Sequence, residues 1–243
     1  MRKVLTLGRW KYNMTAQCTE VAIVLAGRNH IYQLLKHVFG QEPSVQLLEA
    51  ITSDFTGEVL DIVLERECLE QYTALFAELR KAISADPERT LDRIKSEYVY
   101  LMLGPGKLPA PPWESVYVSK ARLLFQESTL KVRQAYLEYS LLPEAYPHVA
   151  DDHLSIEMDF MAQLGQLAQE SLEKGELSQL EKILSDQKAF LDDHLLVWIG
   201  DFAQDIQSAR TQYFYPHMAS LASHIAHADR AAVDELLAAV KNQ

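Results

Sequence analysis

With 243 residues, 48% of them apolar and 23% charged, the chain can bury a sizeable core in one large domain or two small ones. Its 23 Lys and Arg against 34 Asp and Glu leave a net charge of −11. That argues against nucleic acid or an anionic membrane as the main partner, since both require a basic footprint. It permits a cationic partner such as a basic peptide, or simply keeps the protein soluble. The two cysteines, Cys18 and Cys68, form no Cys-x-x-Cys, cannot alone make a zinc or cluster site, and fit reduced thiols in the cytoplasm.

Residues 1–19 are read as an N-terminal extension, with either Met1 or Met14 as the start and no secretory signal. The apolar run at 21–26 is far too short to span a membrane. From residue 20 to 243 the periodicity is helical nearly throughout. Ile23, Ile31, Leu34, Leu35, Val38 and Phe39 mark a first helix that ends at Gly40, and Pro43 opens a short second one. Residues 58–83 continue the pattern through Leu60, Val63, Leu64, Tyr72, Leu75, Phe76 and Leu79. Asp86-Pro87 is a cap and first-turn proline for a helix that runs to Leu103.

Residues 104–112 hold four of the nine prolines and two of the nine glycines and cannot be helix. Yet Tyr98, Tyr100, Leu101, Met102, Trp113 and Tyr117 crowd the flanks, too apolar for a solvated linker. On physics alone the segment is equally a wall of an apolar peptide groove or a plain corner. Residues 119–140 read as an amphipathic helix, and 142–150 as a second break. Helices follow over 151–172 (stripe Leu154, Met158, Met161, Leu164), over 176–206, and around 213–226 and 229–240. No alternating run demands a strand, and no repeat is present. The expectation is all-α: one helical domain of about ten helices, in one body or in two lobes around the breaks.

Asp-Asp-His-Leu occurs at 151–154 and again at 192–195. The first copy opens a helix, so one aspartate reads as its N-cap. His153 and Glu157, four apart on one face, fit a local pair, two metal ligands or polar contacts to a peptide. His194, with Phe190 and Trp198 four residues to either side, reads as a core histidine in mid-helix. His224 and His227 read as surface residues. The chain has no Glu-x-x-His, no His-Glu-x-x-His and no Gly-x-Ser-x-Gly. Gly104-Pro-Gly-Lys107 departs from a phosphate loop at Leu101 and Leu108. No catalytic residue, cofactor or metal site is assigned, which disfavours the rival reading of a nucleotide-binding or metal-dependent helical enzyme or switch.

Leu101-Met-Leu-Gly-Pro-Gly-Lys-Leu-Pro-Ala-Pro-Pro-Trp-Glu-Ser-Val-Tyr117 resembles a segment of the TorD/DmsD family, cytoplasmic chaperones for exported molybdenum oxidoreductases. Arg28 to Phe39, Asp151 to Met161 and Phe190 to Ile199 resemble further family segments, in the same order. The resemblance implies an all-helical, non-catalytic chaperone. It would bind the twin-arginine signal peptide of a precursor, or its apoenzyme, until the cofactor is inserted. Carried over by position, the peptide-binding residues are Leu101, Met102, Pro112, Trp113, Ser115, Asp152 and His153. In that picture an apolar wall takes the apolar part of the leader, while Asp152, with Asp151 and Glu144, attracts its arginines. Guanine nucleotide binding has been proposed in the family, and relatives include monomers and domain-swapped dimers.

Overall fold

The computed structural model describes residues 14–104, 106–120, 122–143 and 149–241, with side chains from residue 19 onward. Eleven α-helices are present among them, with no strand beyond one isolated bridge. The helices are α1 (Met14–Gly40), α2 (Val45–Ile51), α3 (Asp54–Val63), α4 (Arg66–Ala85), α5 (Pro87–Tyr98), α6 (Glu114–Val118), α7 (Glu127–Glu138), α8 (Leu154–Lys174), α9 (Leu177–Asp193), α10 (Ile199–Gln207) and α11 (Tyr215–Lys241). One π-turn (Val99–Leu103) extends α5, and one 3-10 turn (Leu195–Val197) follows α9. None of the described helices is long and apolar enough to cross a membrane. Most of the expected extension, together with Pro105 and Glu144, lies outside the described residues, although α1 reaches back to Met14.

Helix α1 lies along α8 at the centre, with α9, α10 and α11 packed around the pair. The contact is close because small residues face it: a Cβ on Gly40 would lie 2.8 Å from the Ser155 Cβ. Leu25, Tyr32, Leu35 and Phe39 of α1 meet Met158, Met161 and Leu164 of α8 in one continuous core. Local signals set several helix starts, of which only the cap at Asp86 was expected. The Ser44 hydroxyl accepts the Leu47 N–H at 3.2 Å, the Ser53 hydroxyl accepts that of Thr56 at 3.2 Å, and the Asp86 carboxylate accepts that of Arg89 at 3.0 Å.

Four expected boundaries are corrected. The stripe over 58–83 is divided at Leu64, which turns into the core in extended conformation between α3 and α4. The 119–140 stretch is helical only from Glu127, and Arg122 and Phe125 before it take left-handed φ values of 49° and 57°. The 176–206 stretch breaks at His194, which ends α9 rather than sitting in mid-helix. The two C-terminal helices are one, α11, because nothing at 226–229 breaks a helix; Asp229, read as a start, points instead into the core.

That aspartate anchors α11 to α1. Its carboxylate accepts from Arg28 at 2.5 and 3.0 Å and from the Tyr32 hydroxyl at 2.7 Å, and Arg28 and Asp229 are both fully enclosed. The pair raises the Arg28 guanidinium above its usual range despite the opposing effect of burial, which is the larger single influence. A second anchor is Glu97 on α5. Its carboxylate accepts the N–H groups of Tyr213, Phe214 and Tyr215 at 3.0, 2.8 and 2.8 Å, along with the Thr211 hydroxyl. It thereby satisfies the open donors at the start of α11. Asp229→Ala leaves a buried guanidinium uncompensated and is expected to cost about 3–5 kcal/mol in urea unfolding. Pairing it with Arg28→Met should recover most of that loss.

Candidate functional site

The two breaks in the helical pattern meet. Trp113 and His153 form an antiparallel bridge, flanked by two backbone bonds: Glu114 N–H to the Asp152 carbonyl at 3.0 Å and Leu154 N–H to the Pro112 carbonyl at 2.9 Å. Prolines cannot donate, so the extended 111–112 stretch presents carbonyls, and one of them takes a donor from the first turn of α8. The Asp152 carboxylate accepts the Ser115 N–H at 2.7 Å. Asp152 thus serves the first turn of α6, whereas the cap of α8 is His153, whose Nδ1 accepts the Ser155 N–H at 3.1 Å. An aspartate was expected to cap α8; it caps across the crossing instead.

Four buried carboxylates surround this point: Glu114, Asp151, Asp152 and Glu157. Asp151 pairs with Arg133 of α7 at 2.5 Å, and its carbonyl accepts from the Tyr136 hydroxyl at 3.0 Å. Glu114 meets Nδ1 of His194 at 2.9 Å. Glu157 accepts from the Trp198 indole at 3.2 Å. Burial, and then the nearby Glu114 and Asp152 charges, push the Glu157 carboxyl well above the usual carboxylate range, so it retains its proton. Burial also lowers His153 to about 4, which keeps that ring uncharged at neutral pH. Glu157 does not pair with the His153 side chain, and among the described residues no group of three or more His, Cys, Asp or Glu could hold a metal ion.

The crossing brings together Pro112, Trp113, Ser115, Asp152 and His153 of the seven residues inferred from sequence, but exposes few of them. Leu101, Pro112, Ser115 and Asp152 are buried and Met102 nearly so. Trp113 and His153 are half-buried, with their rings edge to face at 5.2 Å. Asp152 therefore presents no surface charge to an arginine, and its role here is to hold the crossing together. Sequence reasoning missed Glu114, Arg133 and the link from Glu157 to Trp198, because their partners lie 18 to 80 residues away. It also missed exposed apolar side chains on and around α7: Leu123, Phe125, Leu130, Leu137 and Leu142 are all more than half exposed. Leu130 and Leu137, seven apart on α7, were read as part of an ordinary amphipathic helix. His224, expected at the surface, is half-buried and bonds the Tyr72 hydroxyl at 2.8 Å, while His227 is exposed.

The geometry is thus a helical body with an extended crossing ringed by buried acids. The family described as nitrate reductase delta subunit matches residues 65–204, more than half of the chain, and the protein belongs to that family. Curated relatives include a "Probable Tat proofreading chaperone DmsD" from Haemophilus influenzae, 25% identical over 78% of this chain and 83% of that protein. They also include proteins named chaperone TorD: one from Vibrio cholerae (25% identical, 89% and 96% of the two chains) and one from a Psychrobacter species (26%, 86% and 92%). The resemblance first drawn from the Pro-rich segment thus extends along most of the chain, and these relatives are named as chaperones, not catalysts.

Asp152→Ala should leave the Ser115 N–H buried and unpaired, and is expected to cost about 1–3 kcal/mol in chemical denaturation. Glu157→Gln tests the retained proton. The unfolded carboxyl ionises above its ordinary pKa of 4.5, while the folded one stays protonated. Wild-type stability is therefore lost as pH rises past that value. The stability of Glu157→Gln relative to wild type should rise between pH 5 and 8, by at most about 1.4 kcal/mol per pH unit. A difference independent of pH would mean that Glu157 is ionised in the folded protein.

Proposed function

We propose that the protein is a chaperone that holds the twin-arginine leader, the apoenzyme, or both, of an exported molybdenum oxidoreductase while its cofactor is inserted in the cytoplasm. The observation that carries this reading is the family match over 65–204, which contains both breaks and the crossing they form. The chaperone names of the relatives support it. The chain's acidity is compatible with a basic leader.

In this reading Trp113 and His153 are the accessible face of the peptide site, Pro112 backs it from inside, and the buried Leu101 and Met102 enter through the resemblance. Ser115 and Asp152 set its shape rather than touch the peptide's charges. Trp113 has an indole N–H that is buried without a partner among the described residues, a condition that costs about 1–3 kcal/mol and that a carbonyl of a bound segment would relieve. The apolar part of the leader adds contact with the exposed apolar residues near the crossing, at about 25 cal/mol per Å² before ordering costs.

Calorimetric titration with a synthetic twin-arginine leader tests the site. Trp113→Ala should weaken binding about tenfold or more, equivalent to about 1.4 kcal/mol, with the same weakening at low and high salt. Full affinity in that variant would remove the crossing from the site. Capture of a molybdoenzyme precursor from extract, lost when its leader is deleted, is the expected cellular counterpart.

A further inference from the structure

Beside the crossing, α7, α8 and α9 enclose a cleft of about 190 Å³. Three carboxylates line it: Glu138, Asp186 and Asp193. Asp186 is engaged, accepting from the Tyr139 hydroxyl and from Lys182, each at 2.5 Å. Glu138 and Asp193 are exposed and form no ion pair or hydrogen bond among the described residues. The aromatic wall is Tyr139, Phe160 and Phe190. Lys182 lies 5.1 Å from the Tyr139 ring centre, so this rim already holds one cation against an aromatic face.

His194 adds an observation independent of the acids. The residue is only 7% exposed and its ring lines this cleft. Nδ1 faces the buried Glu114 carboxylate at 2.9 Å, while Nε2 has no partner among the described residues. The cleft therefore gathers two free carboxylates and one unpartnered imidazole nitrogen over an aromatic wall. It is smaller than the ~300–1,000 Å³ usual for small-molecule sites and fits a single side chain.

We propose that this cleft seats the guanidinium group of an arginine side chain from the bound peptide. A guanidinium is planar, donates from five N–H groups, accepts none and stacks on rings, which matches what the cleft presents; an ammonium carries three donors and no flat face. The seat is linked to the crossing through Glu114, which neighbours Trp113 in sequence and holds His194. The proposal rests on the peptide-binding reading for the source of the arginine, and it moves the cation-binding role from Asp152 to Glu138 and Asp193.

The probes are diarginine amide and dilysine amide, added to the full-length protein carrying 15N-labelled histidine. Diarginine amide is expected to shift the His194 Nε2 resonance, and dilysine amide to do so about tenfold more weakly. The exposed double substitution Glu138→Gln with Asp193→Asn should weaken the diarginine response about tenfold while circular dichroism stays unchanged. No His194 shift with diarginine amide, or an equal shift in the double variant, overturns the proposal. Titration with the synthetic leader separates the two readings. If it binds wild type and double variant equally, the guanidinium seat fails and the chaperone reading stands. If it fails to bind wild type, the chaperone reading fails, and the diarginine titration still decides the seat.

Discussion

The arrangement depends on one carboxylate placed between two helix starts. Asp152 precedes α8 yet gives its oxygen to the first turn of α6, 37 residues earlier in the chain. Two helix N-termini left open to each other would bury several unpaired N–H groups. The crossing resolves this with few atoms: a proline carbonyl takes one donor of α8, the Asp152 carbonyl and carboxylate take two of α6, and His153 caps its own helix. A strand-like bridge between otherwise helical segments is the geometric result.

From that point the buried polar groups extend outward in pairs. Asp151 reaches α7 through Arg133, Glu114 reaches the end of α9 through His194, and Glu157 reaches Trp198 at the start of α10. Each buried carboxylate carries a large desolvation penalty, and each is offset differently: by a guanidinium, by an imidazole, by a backbone amide, or by keeping its proton. These pairings give direction to a region that apolar packing alone would hold less specifically. Nearby, α7 carries the exposed Leu130 and Leu137, and an acidic, ring-lined cleft lies between α7 and α9.

The helical stripes, the aspartate cap at 86 and the two breaks were legible because each depends on residues within a turn of one another. The resemblance to a chaperone family was legible for a similar reason, since its strongest motif is one unbroken Pro-rich segment. The corrected boundaries share the opposite cause. His194 looks like a core position on a stripe and is buried, but that it sits at the end of α9 and bonds Glu114, 80 residues away, shows only in the structure. Asp229 looks like the start of a helix, and only Arg28, 201 residues away, shows that it is a buried anchor inside one long helix.

The amino-acid sequence by itself determined the all-helical class, the absence of a catalytic motif, and the two places where helix cannot continue, because proline chemistry and apolar periodicity are local. It also placed the seven site residues in two clusters. Only the tertiary structure decided that the clusters touch, that Asp152 faces inward while Trp113 and His153 keep access to solvent, and that unpaired acceptors gather beside them. Those outcomes follow from the cost of burying unpaired donors and charges, and that cost is set by which distant groups come within about 3 Å, information that no single segment carries.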